Sequence, residues 1–199
     1  NVNMWRHAAT LENVERLRAR GVHFVGPDAG ALACGWEGEG RMSEPAVIAS
    51  EADRWLAEPT LAGERVLVTA GGTREPIDPV RAITNRSSGK MGFAIAAEAA
   101  RRGAEVVLVA APVSLATPPG VRRIDVETAL EMREVVVREA ERAGITVMAA
   151  AVADFRPAAP VAHKIKKEDL EADEAPCIAL VRNPDILAEI SARAARGIV

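Results

Sequence analysis

The sequence predicts an α/β fold, a parallel sheet whose strands are joined by crossing helices. Two observations predict it. From Arg65 onward, short apolar runs alternate with helical patterns at the spacing of βαβ units. The first of these runs, residues 65–70, leads into a glycine-rich polar stretch, GGTREPIDPVRAITNRSSGKMG, and then into an alanine-rich helical pattern. Strand, glycine loop and helix in that order let backbone N–H groups approach an anion where the helix start adds partial positive charge.

The elements follow in order. Leu11, Val14 and Leu17 fall three apart among Glu and Arg, the pattern of an exposed amphipathic helix over residues 11–20. Residues 22–25 read as a short strand. Residues 30–42, GALACGWEGEGRM, hold too many glycines for a regular element and read as an ordered loop or flap. Ser43, Glu44 and Pro45 read as a helix start, with Ser43 as N-cap and the helix running toward Leu56. Residues 58–64, EPTLAGE, place Pro and Gly between two periodic segments and mark a joint. This gives a first segment over 1–58, a linker over 59–64 and a second segment over 65–199.

In the second segment the predicted strands are 65–70, 105–110, 145–150 and 177–181, and the predicted helices are 89–102, 128–142 and 184–195. An irregular stretch fills residues 154–176. Ligands of such a sheet bind at the carboxyl ends of its strands.

Composition bounds the function. The chain has 199 residues, 49% hydrophobic and 27% charged, ordinary for a globular protein. Aromatic residues make up 3%, with no Tyr, which argues against base-stacking platforms for nucleic acid. A net charge of -3 and a pI near 5.7 argue against a polyanion binder held by bulk charge. No apolar run of about 18 residues is present, so no membrane association is predicted. Cys34 and Cys177 lie in unlike contexts, which predicts a reducing cytoplasm and no structural disulfide. The chain opens on Asn1 rather than Met and closes on an apolar run at Val199, the expectation for a piece of a longer protein.

Site residues follow from the strand ends. Gly71 and Gly72, with Ser87, Ser88 and Gly89, are candidates for phosphate contacts, although a tight βα turn with a capped helix explains the same spacing. Neither a Walker pattern nor a Gly-x-Gly-x-x-Gly dinucleotide motif is present. A dinucleotide reductase would also need an acidic residue at the end of the second strand, where Ala110 and Ala111 stand. Arg81 is a candidate for a substrate phosphate or carboxylate, or an ordinary surface Arg. Cys177 reads as a small strand residue.

Four motifs in order carry a family resemblance: LVTAGGTREPIDPVRAITNRSSGKMG, AAAVADFRP, HKIKK and RNPDI. The second segment resembles the phosphopantothenate-cysteine ligase domain of bifunctional coenzyme A biosynthesis flavoproteins. The first resembles the end of their FMN-dependent decarboxylase domain, with NVNMW completing a Pro-Ala-Met-Asn motif and ACGWEGEGRM matching its Cys-containing flap. The resemblance implies a Rossmann-like parallel sheet with flanking helices, preceded by the C-terminal part of a flavodoxin-like α/β flavoprotein domain. It places the flavin phosphate loop and the active-site His before Asn1, and a lysine-bearing flap after Val199.

For the ligase, the resemblance implies that the 4'-phosphopantothenate carboxylate attacks the α-phosphorus of CTP, with Mg²⁺, and that cysteine's amine then displaces CMP. It assigns Asn85 to turnover of the acyl-cytidylate and Lys164 to the triphosphate. It puts Met148, Ala149, Ala150 and Asp154 at the nucleotide, together with Asn183, Pro184, Asp185 and Ile186. For the decarboxylase it makes Cys34 a proton donor and has Asn1 hold the substrate carboxylate. It implies ligase dimers. A nucleotide-binding module without catalysis is the competing reading.

Overall fold

The computed structural model describes residues 1–166 and 177–193. By its contacts the chain divides into two units, Asn1–Leu56 and Ala57–Val199.

The first unit holds helices α1 (Val2–Trp5) and α2 (Ala8–Ala19), strands β1 (Asp28–Ala31) and β2 (Glu37–Arg41), and helix α3 (Pro45–Leu56). The predicted strand at residues 22–25 is not formed. Two of its rings make contacts instead: His23 stacks on Trp55 with ring centroids 3.3 Å apart, and Arg18 lies over Phe24. The predicted flap is an antiparallel hairpin, β1 with β2. Glycine is needed where this hairpin crosses the chain start, because a Cβ on Gly40 would lie 3.2 Å from the backbone of Asn1. Ser43 is not the N-cap of α3. The helix starts at Pro45 and Ile48 N–H donates to Glu44 O, so Glu44 holds the cap position, one residue later than expected.

The second unit is built on a parallel sheet of four strands, β3 (Arg65–Ala70), β6 (Glu105–Ala110), β7 (Val121–Asp125) and β8 (Ile145–Met148), in the order β7-β6-β3-β8. The central strands are buried on both faces, as their unbroken apolar runs require. One face packs on α4 (Lys90–Arg101) through Phe93, Ala96, Ala99 and Ala100. The other packs on α5 (Ala129–Ala140) and α6 (Ile186–Arg193) through Met132, Val136, Ile186 and Ile190. The result is the Rossmann-like, two-faced arrangement that the alternating pattern predicts.

β7 was not predicted. It reads VRRID, an edge strand whose arginines serve the surface: Arg122 pairs with Glu139, while Arg123 donates to Leu115 O and lies over the Phe93 ring. The glycine-rich stretch, read as a loop, contains a hairpin of β4 (Arg74–Pro76) and β5 (Ala82–Thr84). Two further short strands, β9 (Phe155–Pro157) and β10 (Leu180–Arg182), pair antiparallel with each other. The strand predicted at 177–181 is therefore shifted and lies outside the parallel sheet. The end of the predicted last helix, 194–195, and residues 167–176 of the irregular stretch lie outside the described residues.

From β3 the chain crosses by α4 to β6 on one side, and from β7 it returns by α5 to β8 on the other. The strand order reverses between β3 and β8. Ligand crevices of open α/β sheets form at such a reversal, beyond the carboxyl ends of the strands.

Candidate functional site

The loops leaving β3 and β8 continue to pair past the strand ends. Ala151 N–H donates to Gly71 O at 2.7 Å and Thr73 N–H donates to Ala151 O at 3.3 Å. Two buried threonines pin the same loop: Thr69 Oγ1 accepts from Ala150 N–H at 3.1 Å and Thr73 Oγ1 from Ala153 N–H at 3.0 Å. Sequence reasoning missed both. The signal was there, since a hydroxyl at the end of a buried strand needs a partner.

The segment after β5 lies against this rim. A Cβ on Gly72 would sit 2.8 Å from Asn85 O, so glycine there permits the close approach. The Asn85 amide donates to Ala151 O at 3.2 Å and to Val152 O at 3.3 Å. Its side-chain nitrogen thus ties the glycine segment to the β8 loop. Ser87 Oγ accepts from Gly89 N–H at 3.4 Å, and Ser88 is exposed. Gly89, left-handed at φ 74°, is the N-cap of α4 and offers the first-turn amides no side-chain acceptor.

A cleft of about 600 Å³ opens beyond β8, a size usual for small-molecule sites. Met148, Ala150, Asp154, Asn183, Pro184, Asp185 and Ile186 line it; Ala149 does not. Asn183 is a strut of this cleft: its side-chain N–H donates to Ala153 O at 2.8 Å, its backbone N–H to Asp154 O at 2.8 Å, and its Oδ1 accepts from Arg156 at 3.0 Å. Asp185 caps α6, accepting from Ala188 N–H at 2.9 Å, which puts Pro184 before the helix rather than in its first turn. Asp154 is exposed on the cleft.

Arg81 turns to its own hairpin. Its guanidinium donates to Asp78 Oδ2 through Nε at 2.9 Å and to Ile165 O through Nη2 at 2.9 Å. The Arg81 guanidinium, helped by the amides of Val80, Arg81 and Ile165, holds the Asp78 carboxyl well below the usual carboxylate range. Lys164, beside Ile165, is exposed. Lys167, last of the HKIKK run, lies outside the described residues.

In the first unit Cys34 is exposed in the turn between β1 and β2, closed by Leu32 N–H donating to Trp36 O at 2.8 Å. Asn1 caps α1, its Oδ1 accepting from Asn3 N–H at 2.9 Å. Among the described residues no group of three or more His, Cys, Asp or Glu could hold a metal ion, and no helix is long and apolar enough to cross a membrane.

The chain is similar to known proteins. Residues 1–57 match a family model described as Flavoprotein, and residues 61–199 match the DNA/pantothenate metabolism flavoprotein C-terminal domain. The chain is 50% identical over 192 residues to the coenzyme A biosynthesis bifunctional protein CoaBC of Vibrio cholerae, covering 96% of this chain and 48% of the relative. It is 51% identical over 193 residues to the protein of the same name from Escherichia coli K12, covering 96% and 47%. The chain thus spans about half the length of the curated relatives it matches. The crystal structure of the C-terminal domain of a CoaBC protein is 41% identical, with a TM-score of 0.60, over 70% of this chain and 64% of that one. Over residues 61–199 this chain belongs to the DNA/pantothenate metabolism flavoprotein C-terminal domain family.

Proposed function

We propose that the chain serves coenzyme A biosynthesis, with residues 65–199 forming a CTP-dependent phosphopantothenate-cysteine ligase domain and residues 1–58 the end of an FMN-dependent decarboxylase domain. The linker is 59–64. One observation carries the reading: Gly71, Gly72, Asn85 and the Ala150–Ala153 rim are bonded together at the reversal of strand order, beside a nucleotide-sized cleft.

A carboxylate is a poor acyl donor, and activation by CTP gives an acyl-cytidylate and pyrophosphate. Catalysis of such a step is mainly positioning and charge neutralisation. The cleft lined by Met148, by residues 150–154 and by residues 183–186 takes the cytidine, with Asp154 reaching the ribose. The Gly89 amide, once released from Ser87 Oγ, and the first-turn amides of α4, with Ser87 and Ser88, meet phosphate oxygens, and Lys164 follows charge toward the leaving pyrophosphate. Mg²⁺ would be held chiefly through the nucleotide's phosphates and would neutralise their charge. Asn85 stands at the acyl carbonyl, where releasing one of its two backbone carbonyls frees an N–H for the developing charge. The substrates are 4'-phosphopantothenate, cysteine and CTP, and a homodimer is the expected assembly.

In the first unit, the FMN ring is the electron carrier of the decarboxylase when it is bound. Cys34, exposed on its hairpin, supplies a proton, and Asn1 holds the substrate carboxylate.

Titration with CTP together with an assay of pyrophosphate release tests the ligase reading. In a full-length context Asn85→Asp is expected to accumulate acyl-cytidylate, and Lys164→Gln to suppress its formation. Normal turnover by both variants would refute the assigned roles. CTP binding without pyrophosphate release would leave a nucleotide-binding module.

A further inference from the structure

We propose that Asp78 is a positioning residue, a buried latch that holds the Lys164 segment at the site; this rests on the ligase reading above. The Asp78 side chain is 0% exposed and is met from four directions. Its Oδ1 accepts from Val80 N–H and Arg81 N–H, each at 2.8 Å, which fixes the turn of the β4–β5 hairpin. Its Oδ2 accepts from the Arg81 guanidinium and from Ile165 N–H at 3.3 Å. Arg81 Nη2 completes the loop by donating to Ile165 O at 2.9 Å.

Ile165 is thereby gripped at both its N–H and its C=O, one residue beyond Lys164. Four residues earlier, Val161 N–H donates to Ile77 O at 3.0 Å. The segment that bears Lys164 is thus tied at two points to the turn between β4 and β5. That turn belongs to the same glycine-rich stretch that carries Gly72 and Asn85. A lysine's flexible stem gives it reach but no preferred position, so the base of the stem must be fixed for its charge to act at one place. Arg81, from sequence a candidate for a substrate phosphate or carboxylate or an ordinary surface Arg, also forms the second half of this latch.

The experiment has two arms on the full chain, each with variants checked for native circular dichroism. In the first, hydrogen exchange at the Ile165 amide is compared in the unaltered chain, Asp78→Ala, Asp78→Asn and Arg81→Lys. Exchange is expected to accelerate at least about tenfold in Asp78→Ala and less in Arg81→Lys, since that amide loses the Asp78 carboxylate as acceptor in the first and keeps it in the second. In the second arm, affinities for CTP and CMP are measured by calorimetry. Asp78→Ala is expected to weaken CTP by about tenfold while leaving CMP unchanged, and to have no further effect in a Lys164→Gln background.

Equal loss of CTP and CMP, or a loss that adds to that of Lys164→Gln, overturns the positioning role. Unchanged exchange at Ile165 overturns the latch itself. If the unaltered chain binds no CTP, the ligase reading fails and takes the catalytic purpose of the latch with it, while the exchange arm still decides whether the latch exists.

Discussion

Replacing Gly92 by alanine sets two quantifiable effects against each other. Gly92 lies in the first turn of α4, and in a helix alanine is favoured over glycine by about 1 kcal/mol. Against that gain, a Cβ on Gly92 would lie 2.6 Å from Ala70 Cβ and 2.7 Å from Thr69 O, where carbon contacts need about 3.5–4.0 Å. Both opposing atoms belong to the backbone or to a side chain with no rotamer to change. The helix must therefore move out by about 1 Å. Overpacking of this kind costs about 1–3 kcal/mol and occasionally more, and rigid neighbours on a central strand put it at the upper end. The net expectation is a loss of about 2 kcal/mol, which with an m-value near 2 kcal/mol/M lowers the urea midpoint by about 1 M.

The probe matters. The three tryptophans, Trp5, Trp36 and Trp55, all lie in the first unit and the chain has no tyrosine, so unfolding of the sheet domain must be followed by far-ultraviolet circular dichroism. Ala94→Gly, exposed in the same helix, is the control that isolates propensity, at a cost of about 1 kcal/mol. If Gly92→Ala equals or exceeds the unaltered chain in stability, the close seating of α4 on β3 is wrong, and with it the placing of the α4 amides beside Gly71.

Two further outcomes are expected. Glu75 is buried and accepts from Ala129 N–H at 2.9 Å at the start of α5, so Glu75→Ala leaves a buried amide without its partner and costs about 1–3 kcal/mol by urea unfolding; an unchanged midpoint would show that the contact carries nothing. Acid unfolding separates two carboxylates whose folded pKa values are both depressed. The contribution of Asp78 is complete above about pH 4 and is withdrawn as pH falls toward its lower folded value, so Asp78→Asn flattens the acid limb of the stability profile. Glu98 is lowered from 4.5 to about 2 by Arg101 and Arg102, so its contribution fades between those values, but its side chain is 43% exposed and salt screens it. Raising the ionic strength should abolish the effect of Glu98→Gln and spare that of Asp78→Asn; equal salt sensitivity would contradict the burial of Asp78.

Whatever repeats along the chain was legible before folding. The apolar runs of β3 and β6 and the alanine-rich face of α4 carry their own periodicity, so strands, crossovers and a ligand crevice at the strand ends could all be read without a structure. The glycine pair was legible as a turn, and the four motifs as a family signature. Tertiary structure alone decided what depends on partners distant in sequence. Residues 22–25 have the composition of a strand, yet a strand exists only with a neighbour to pair, and there two of the rings contact Trp55 and Arg18. The hairpin of β4 and β5 holds only three residues on each strand, too few for a period to show. Arg81 and Asn183 present polar groups that could equally meet a ligand or a backbone carbonyl, and local sequence does not distinguish them. Only the folded chain brings Ile165 to Asp78, 87 residues away, and Ala151 to Asn85, 66 residues away, contacts that join segments far apart in sequence around one site.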